Sequence, residues 1–101
     1  MIVQLRTYTI NRGMMPSWVK LFNEVIVPVH ARYGITVDAA WTNAGETECI
    51  WIRSYADEAE QKAKEAAFYG SPEWQAMREQ ARSHLAKVEV KVMTPVLAAK
   101  G

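Results

Sequence analysis

A chain of 101 residues with a formal net charge of +1 is sized for one domain, and with no basic block it lacks the electrostatic footprint of a nucleic-acid binder. Half of its residues are hydrophobic and 23% are charged, an ordinary globular composition, and the longest apolar run, Val25-Ile26-Val27-Pro28-Val29, is far too short to span a membrane. A single cysteine, Cys49, excludes an internal disulfide and suits a reducing cytoplasm, the expected location, and Gln4 and Arg6 interrupt the first apolar residues, so no signal peptide is expected.

Residues 2–10, IVQLRTYTI, alternate and are rich in β-branched types, which predicts a strand. Val3, Leu5, Thr7 and Thr9 face one way and Gln4, Arg6 and Tyr8 the other. Pro16 fits the first turn of a helix whose apolar stripe is Trp18, Leu21, Phe22, Val25, Val29 and Tyr33. Pro28 removes a backbone hydrogen bond inside that helix, so a kink or an end to its regular part is expected near Val27. Gly34 is the expected C-terminal cap.

Residues 35–42 alternate again, with Ile35, Val37, Ala39 and Trp41 on one side. The turn NAGE at 43–46 leads to a third strand at 47–55, and the short gap predicts a hairpin. Asp57 and Glu60 form a capping-box pattern, and Ala59, Ala63, Ala66 and Ala67 are expected on the inner side of the helix that follows. Gly70 stops this helix; Ser71 at the N-cap, Pro72 at the first position and Glu73 start the next, with the stripe Trp74, Met77, Ala81 and Leu85. Residues 87–96 alternate once more, Val88, Val90 and Val92 against Lys87, Glu89 and Lys91, and the tail LAAKG is expected to fray.

The order βαββ(αα)β is a split βαβ arrangement: an α+β chain, one domain over 1–101 with a core from about 2 to 95, built on a four-stranded antiparallel sheet with helices on one face. Right-handed crossovers place the first and third strands in the centre. The helices cover one face, and Arg6, Tyr8, Lys91 and Met93 are expected on the other; for the third strand, the set Cys49, Trp51, Arg53 and Tyr55 and the set Glu48, Ile50, Ile52 and Ser54 are both open. Bulky apolar groups on both sides of that strand imply burial on both sides, so a homodimer packed sheet to sheet is the expected partner arrangement.

The opening IVQLRTYTI, followed by a glycine and an amphipathic helix, resembles the NIPSNAP family, whose first strand reads E-x-R-x-Y-x-L; here Arg6, Tyr8 and Ile10 match and Gln4 stands in place of Glu. IWIRSYADEAEQKAKEAAFYGSPEW resembles the family's second block, a strand ending in Arg and an aromatic, an acid-rich helix, then an aromatic-Gly-x-Pro-x-Trp break. The resemblance covers about residues 2–95 and implies a ferredoxin-like subunit of the dimeric α/β-barrel superfamily. That superfamily includes cofactor-independent monooxygenases, haem-degrading enzymes and small isomerases, with sites between sheet and helices. For NIPSNAP proteins themselves it implies no reaction.

Arg6 and Arg53, on strands expected to be neighbours, are candidate ligands for an anionic group, and Tyr8 and Tyr55 beside them are candidate hydrogen-bond donors in catalysis. The alternative is that the arginines pair with Glu46, Glu48, Glu89 or a partner's acids. Trp41, Trp51 and Trp74 fit the wall of a pocket for a flat apolar ligand, or plain core packing. His30 and His84 each suit a general base or, near a helix C-terminus, a favourable charge with no further role; His30 is the candidate to move a proton. With two histidines, one cysteine and no metal-ligand spacing, no metal site is expected. No cofactor is expected, although a lone histidine as axial haem ligand stays open. Two readings follow: a homodimer with a cavity for a small apolar or anionic molecule, with cofactor-independent monooxygenase or isomerase-type chemistry if it is an enzyme, or a non-catalytic interaction or stress-associated module.

Overall fold

The computed structural model describes residues 1–97. In chain order it contains β1 (Ile2–Ile10), α1 (Met15–Leu21), a π-helical turn (Phe22–Ile26), α2 (Val27–Arg32), β2 (Thr36–Thr42), β3 (Glu48–Tyr55), α3 (Glu58–Tyr69), α4 (Pro72–Ser83) and β4 (Leu85–Met93). The sheet is antiparallel with order β2-β3-β1-β4, so the first and third strands are central, as right-handed crossovers require. The expected end of the last strand at residue 96 moves back to Met93, and Leu85 belongs to β4 rather than to α4. The expectation of a frayed tail lies, Leu97 apart, outside the described residues.

Pro28 does not end the first helix. Regular α-geometry stops at Leu21, one π turn follows in which the Val27 N–H donates to the Phe22 carbonyl, and α-geometry resumes from Val27 to Arg32. The irregularity falls in the turn before the proline, whose missing N–H takes one rung out of the ladder. Gly34 then closes the segment at φ +72°, a conformation that glycine adopts without a Cβ penalty.

Directly paired residues of antiparallel strands share a face. Gln4 pairs with Arg53, Arg6 with Trp51 and Tyr8 with Cys49, and all of them lie under the helices. This corrects the expectation that Arg6 and Tyr8 occupy the uncovered face. Alternation decides which residues travel together; packing decides where they go, and here Tyr8 packs at 5.6 Å from both Trp18 and Trp51. The open face carries Val3, Leu5 and Thr7 from β1, Ile50 and Ile52 from β3, and Lys91 and Met93 from β4, the last two as expected.

Two further expectations change. β2 is bulged between Val37 and Ala39, so Val37 pairs with Arg53 on the covered face, whereas Trp41 pairs with Ile50 on the other and is 56% exposed. On α3 the alanines Ala59, Ala63, Ala66 and Ala67 are exposed. The inner side is Gln61, Glu65, Phe68 and Tyr69, because α3 lies over a polar part of the sheet and not over an apolar one. The joint between α3 and α4 is as read: the Trp74 N–H donates to the Ser71 hydroxyl at 3.1 Å, with Pro72 in the first turn. Asp57 caps α3 by accepting from the Glu60 N–H at 2.8 Å, and the Glu60 carboxylate accepts from the Ala56 N–H. No helix among the described residues is long and apolar enough to cross a membrane.

Candidate functional site

Sheet and helices enclose a cavity of about 390 Å³. Its walls are aromatic: Tyr8 and Trp51 from the sheet, Trp18 from α1, Phe68 and Tyr69 from the end of α3, and Trp74 from α4. The Ser71–Pro72 joint turns the chain so that these last three rings meet, with Phe68 and Trp74 5.3 Å apart and Tyr69 and Trp74 5.5 Å apart. At the mouth stand Leu85 and Val88 of β4, whose valines are half exposed because the strand lies at the sheet edge.

A connected polar cluster lies at the cavity's inner end. Arg53, only 2% exposed, donates from Nε to Gln4 Oε1 (2.8 Å), from Nη1 to His30 Nε2 (2.8 Å) and from Nη2 to the Tyr69 hydroxyl (2.7 Å). Arg6 donates from Nε to the Tyr8 hydroxyl and from Nη1 to the same Gln4 Oε1, both at 3.0 Å. Gln4 Nε2 donates to Glu65 Oε2 at 3.0 Å, and that oxygen is 3.7 Å from Arg53 Nη2. One side-chain amide thus joins both guanidiniums to the one carboxylate beside them. Each guanidinium also lies against the Trp51 ring, at 5.4 Å for Arg6 and 5.7 Å for Arg53.

The electrostatics follow from burial. His30 Nδ1 faces the Ile26 carbonyl at 2.7 Å, so it carries the hydrogen and Nε2 is the acceptor for Arg53. Burial, helped by the Arg53 and Arg6 charges and opposed by the Ile26 carbonyl, pushes His30 from 6.5 down to about 4. Burial likewise pushes the Tyr8 phenol up, so it stays protonated and able to donate.

The residues singled out from sequence divide clearly. Arg6, Tyr8, His30, Trp51, Arg53 and Trp74 all line the cavity. Trp41 does not, because the β2 bulge turns it to the open face. Tyr55 is buried beyond the cavity, its hydroxyl without a hydrogen-bond partner among the described residues and its phenol pushed up by burial. The role of proton carrier meets an obstacle in His30, whose lone pair is occupied by Arg53. The haem alternative meets the same one: His30 uses both ring nitrogens within the protein, and so does His84, facing Ser17 Oγ at 2.7 Å and the Gln80 carbonyl at 2.8 Å. Sequence reading missed Gln4, Glu65 and Tyr69. The available signal was the spacing Glu65–Tyr69, one helical turn, on the side of α3 opposite its alanines.

A split βαβ sheet with helices over one face, and a cavity between them, defines an α+β protein of the ferredoxin-like class. The family model NIPSNAP matches residues 3–100, and the chain belongs to the NIPSNAP family. Among solved structures, it is similar to an uncharacterised NIPSNAP domain protein from Burkholderia xenovorans, at 22% identity over 100% of both chains with a TM-score of 0.89. It is also similar to a NIPSNAP family protein from Agrobacterium tumefaciens, at 21% identity over 94% of this chain and 92% of that one, TM-score 0.86. A more distant likeness is to a putative antibiotic biosynthesis monooxygenase from Nitrosomonas europaea, at 10% identity over 96% of this chain and 100% of that one, TM-score 0.73. At these identities the likenesses establish the fold alone. No protein of curated function matches the sequence.

Proposed function

We propose that this NIPSNAP protein binds a small, flat, largely apolar molecule carrying an anionic group in the cavity between its sheet and helices. The observation that carries this reading is Arg6: a guanidinium at the end of an aromatic-walled cavity of about 390 Å³, with one nitrogen, Nη2, lacking a partner among the described residues. A volume of that order fits a one- or two-ring ligand. Planar walls such as Trp51 and Trp74 suit a planar body, and a guanidinium suits a carboxylate or phenolate.

Chemistry on such a ligand would be of the cofactor-independent oxygenase or isomerase type, which the likeness in fold to a putative monooxygenase supports. In that case Arg6 orients the anion and Tyr8 donates to it, while Arg53 and His30 support the site from behind. The competing reading is a non-catalytic interaction module whose aromatics only pack. The open sheet face, where Leu5 pairs with Ile52 and Thr7 with Ile50, fits a second copy of the chain and supports a homodimer in either case.

The test is a thermal-shift titration with planar aromatic carboxylates on the native protein and on Val88→Trp, which fills the cavity mouth from an exposed position. Ligands at about 100 times Kd should stabilise the native protein by about 2.7 kcal/mol and leave Val88→Trp unshifted. Equal shifts in both proteins would place binding elsewhere, and no shift with any ligand would favour the interaction module.

A further inference from the structure

Building on that reading of the cavity, we propose that the ligand is taken up as an oxyanion already formed, docked on the free end of Arg6 and the hydroxyls of Tyr8 and Tyr69. Gln4 sets this preference by joining the two arginines through a neutral amide.

The two guanidiniums are not equivalent. Arg53 uses all three of its nitrogens within the protein, on Gln4, His30 and Tyr69. Arg6 uses Nε on Tyr8 and Nη1 on Gln4 and keeps Nη2 without a partner among the described residues. Arg53 is therefore a positioning residue, and Arg6 is the one that can reach a ligand. Tyr8 and Tyr69 each accept a hydrogen bond from a guanidinium, at 3.0 and 2.7 Å, while their own hydroxyl hydrogens have no acceptor among the described residues. A phenol that accepts from a cation becomes a stronger donor in turn.

The cavity is poor in acceptors. No carboxylate among the described residues lines it, and the His30 lone pair is committed to Arg53. A neutral alcohol or phenol needs an acceptor for its own hydrogen and finds the site filled with donors. An oxyanion has no such need and accepts from all of them. For the same reason the site has no group placed to take a proton from a neutral ligand, so the anion must arrive as one. Nearby charge points the same way. Arg6 from β1 and Arg53 from β3 face one carboxylate, Glu65 from α3; α2 contributes the neutral His30, and α4 adds Arg82 to the cavity wall. Gln4 Oε1 accepts from both arginines without cancelling either charge. A carboxylate at the same position would accept the same two bonds and reduce the surplus.

The ligand class is accordingly a planar, apolar carboxylate or phenolate. Calorimetry on the full chain tests this with 2-naphthoate and its neutral isostere 2-naphthamide, and with 4-nitrophenol followed across its own ionisation. Naphthoate should bind at least about tenfold more tightly than naphthamide, since a neutral group leaves the site's charges unanswered. Bound nitrophenol should show the phenolate absorbance, its affinity should follow its ionised fraction, and at a pH where the free ligand is already fully ionised its binding heats should be the same in buffers of different ionisation enthalpy. Gln4→Glu should lose about tenfold on naphthoate and leave naphthamide unchanged. If Gln4→Glu is unfolded at the assay temperature, Arg6→Gln should likewise abolish the preference of naphthoate over naphthamide. Equal binding of naphthoate and naphthamide, or nitrophenol bound with the absorbance of the neutral phenol, overturns the oxyanion preference and leaves the cavity reading standing. Failure of all three probes to bind overturns both.

Discussion

Arg53 and His30 meet inside the sheet–helix interface, the guanidinium Nη1 donating to the imidazole Nε2 at 2.8 Å. A buried cation resting on a neutral imidazole is stable only while the ring stays unprotonated. The Ile26 carbonyl at 2.7 Å fixes the tautomer that permits it. Ile26 is the last residue of the π turn, so the backbone irregularity ahead of Pro28 also presents the carbonyl that orients His30. From this contact follow the protein's acid sensitivity and the unequal roles of its two site arginines.

His30 is depressed from 6.5 to about 4 in the folded chain. Between those values the unfolded chain binds a proton that the folded one refuses. The His30 contribution to stability is therefore fully present above pH 6.5 and is lost as pH falls towards 4, about 3 kcal/mol at most. Glu60, held below its ordinary value first by Lys64, adds its own acid sensitivity at lower pH. Urea unfolding at a series of pH values should show the slope between pH 6.5 and 4, and His30→Gln, which keeps an acceptor for Arg53, should flatten it. An unchanged slope in the variant would remove His30 as its source.

The arginines should separate when each is removed. Arg53→Met leaves Gln4, His30 and Glu65 facing an empty centre and should destabilise by about 3–5 kcal/mol, the usual consequence of breaking a buried charged network. Arg6→Met loses two hydrogen bonds in the cavity lining and should cost about 1–2 kcal/mol. Denaturant midpoints decide this, and equal losses would contradict the division of labour between the two.

Much of this was legible in the sequence, and the gaps have physical causes. Strand alternation and the punctuation at Gly34, Asp57 and Ser71 located the elements, because caps and turns are local chemistry. Arg6 and Arg53 were expected on neighbouring strands, but alternation left open which face of β3 carries Trp51 and Arg53; the register, Gln4 opposite Arg53 and Arg6 opposite Trp51, puts them on the face of Arg6 and Tyr8. The placement of Arg6 and Tyr8 under the helices was missed because alternation does not name the inner face. Trp41 was misplaced by a bulge that no residue of β2 announces. Glu65 and Tyr69 were overlooked because the apolar-stripe rule seeks hydrophobic inner faces, whereas α3 turns a carboxylate and a phenol inward to meet Arg53.

The joint between α3 and α4 is held largely by one side chain. The Ser71 hydroxyl accepts from the Trp74 N–H at 3.1 Å and donates to the Phe68 carbonyl at 2.6 Å, and Ser71 is buried. Ser71→Ala should lower stability by about 1–2 kcal/mol, more than an exposed cap, since the Phe68 carbonyl also loses a partner. Because Phe68 and Trp74 form the cavity wall, the variant should also alter Trp fluorescence, whereas Ser83→Ala, at an exposed helix end, should change neither. A silent Ser71→Ala would mean that Pro72 alone fixes the joint.

The open sheet face gives the test of assembly. Leu5 and Ile52 are paired neighbours at its centre, both half-buried in the single chain, with Ile50 beside them and the Lys87–Glu89 ion pair (3.4 Å) towards the β4 edge. A central apolar strip with charges to one side is the layout of an interface core and its rim. Light scattering at micromolar concentration should give twice the chain mass for the native protein. Leu5→Lys combined with Ile52→Lys should give a single chain, as like charges placed opposite one another on both copies forbid a stable interface of about 1,000 Å² or more. Since Arg6 and Trp51 point to the other face, the double variant should retain ligand binding if it stays folded. A native protein that runs as a monomer would rule out sheet-to-sheet pairing.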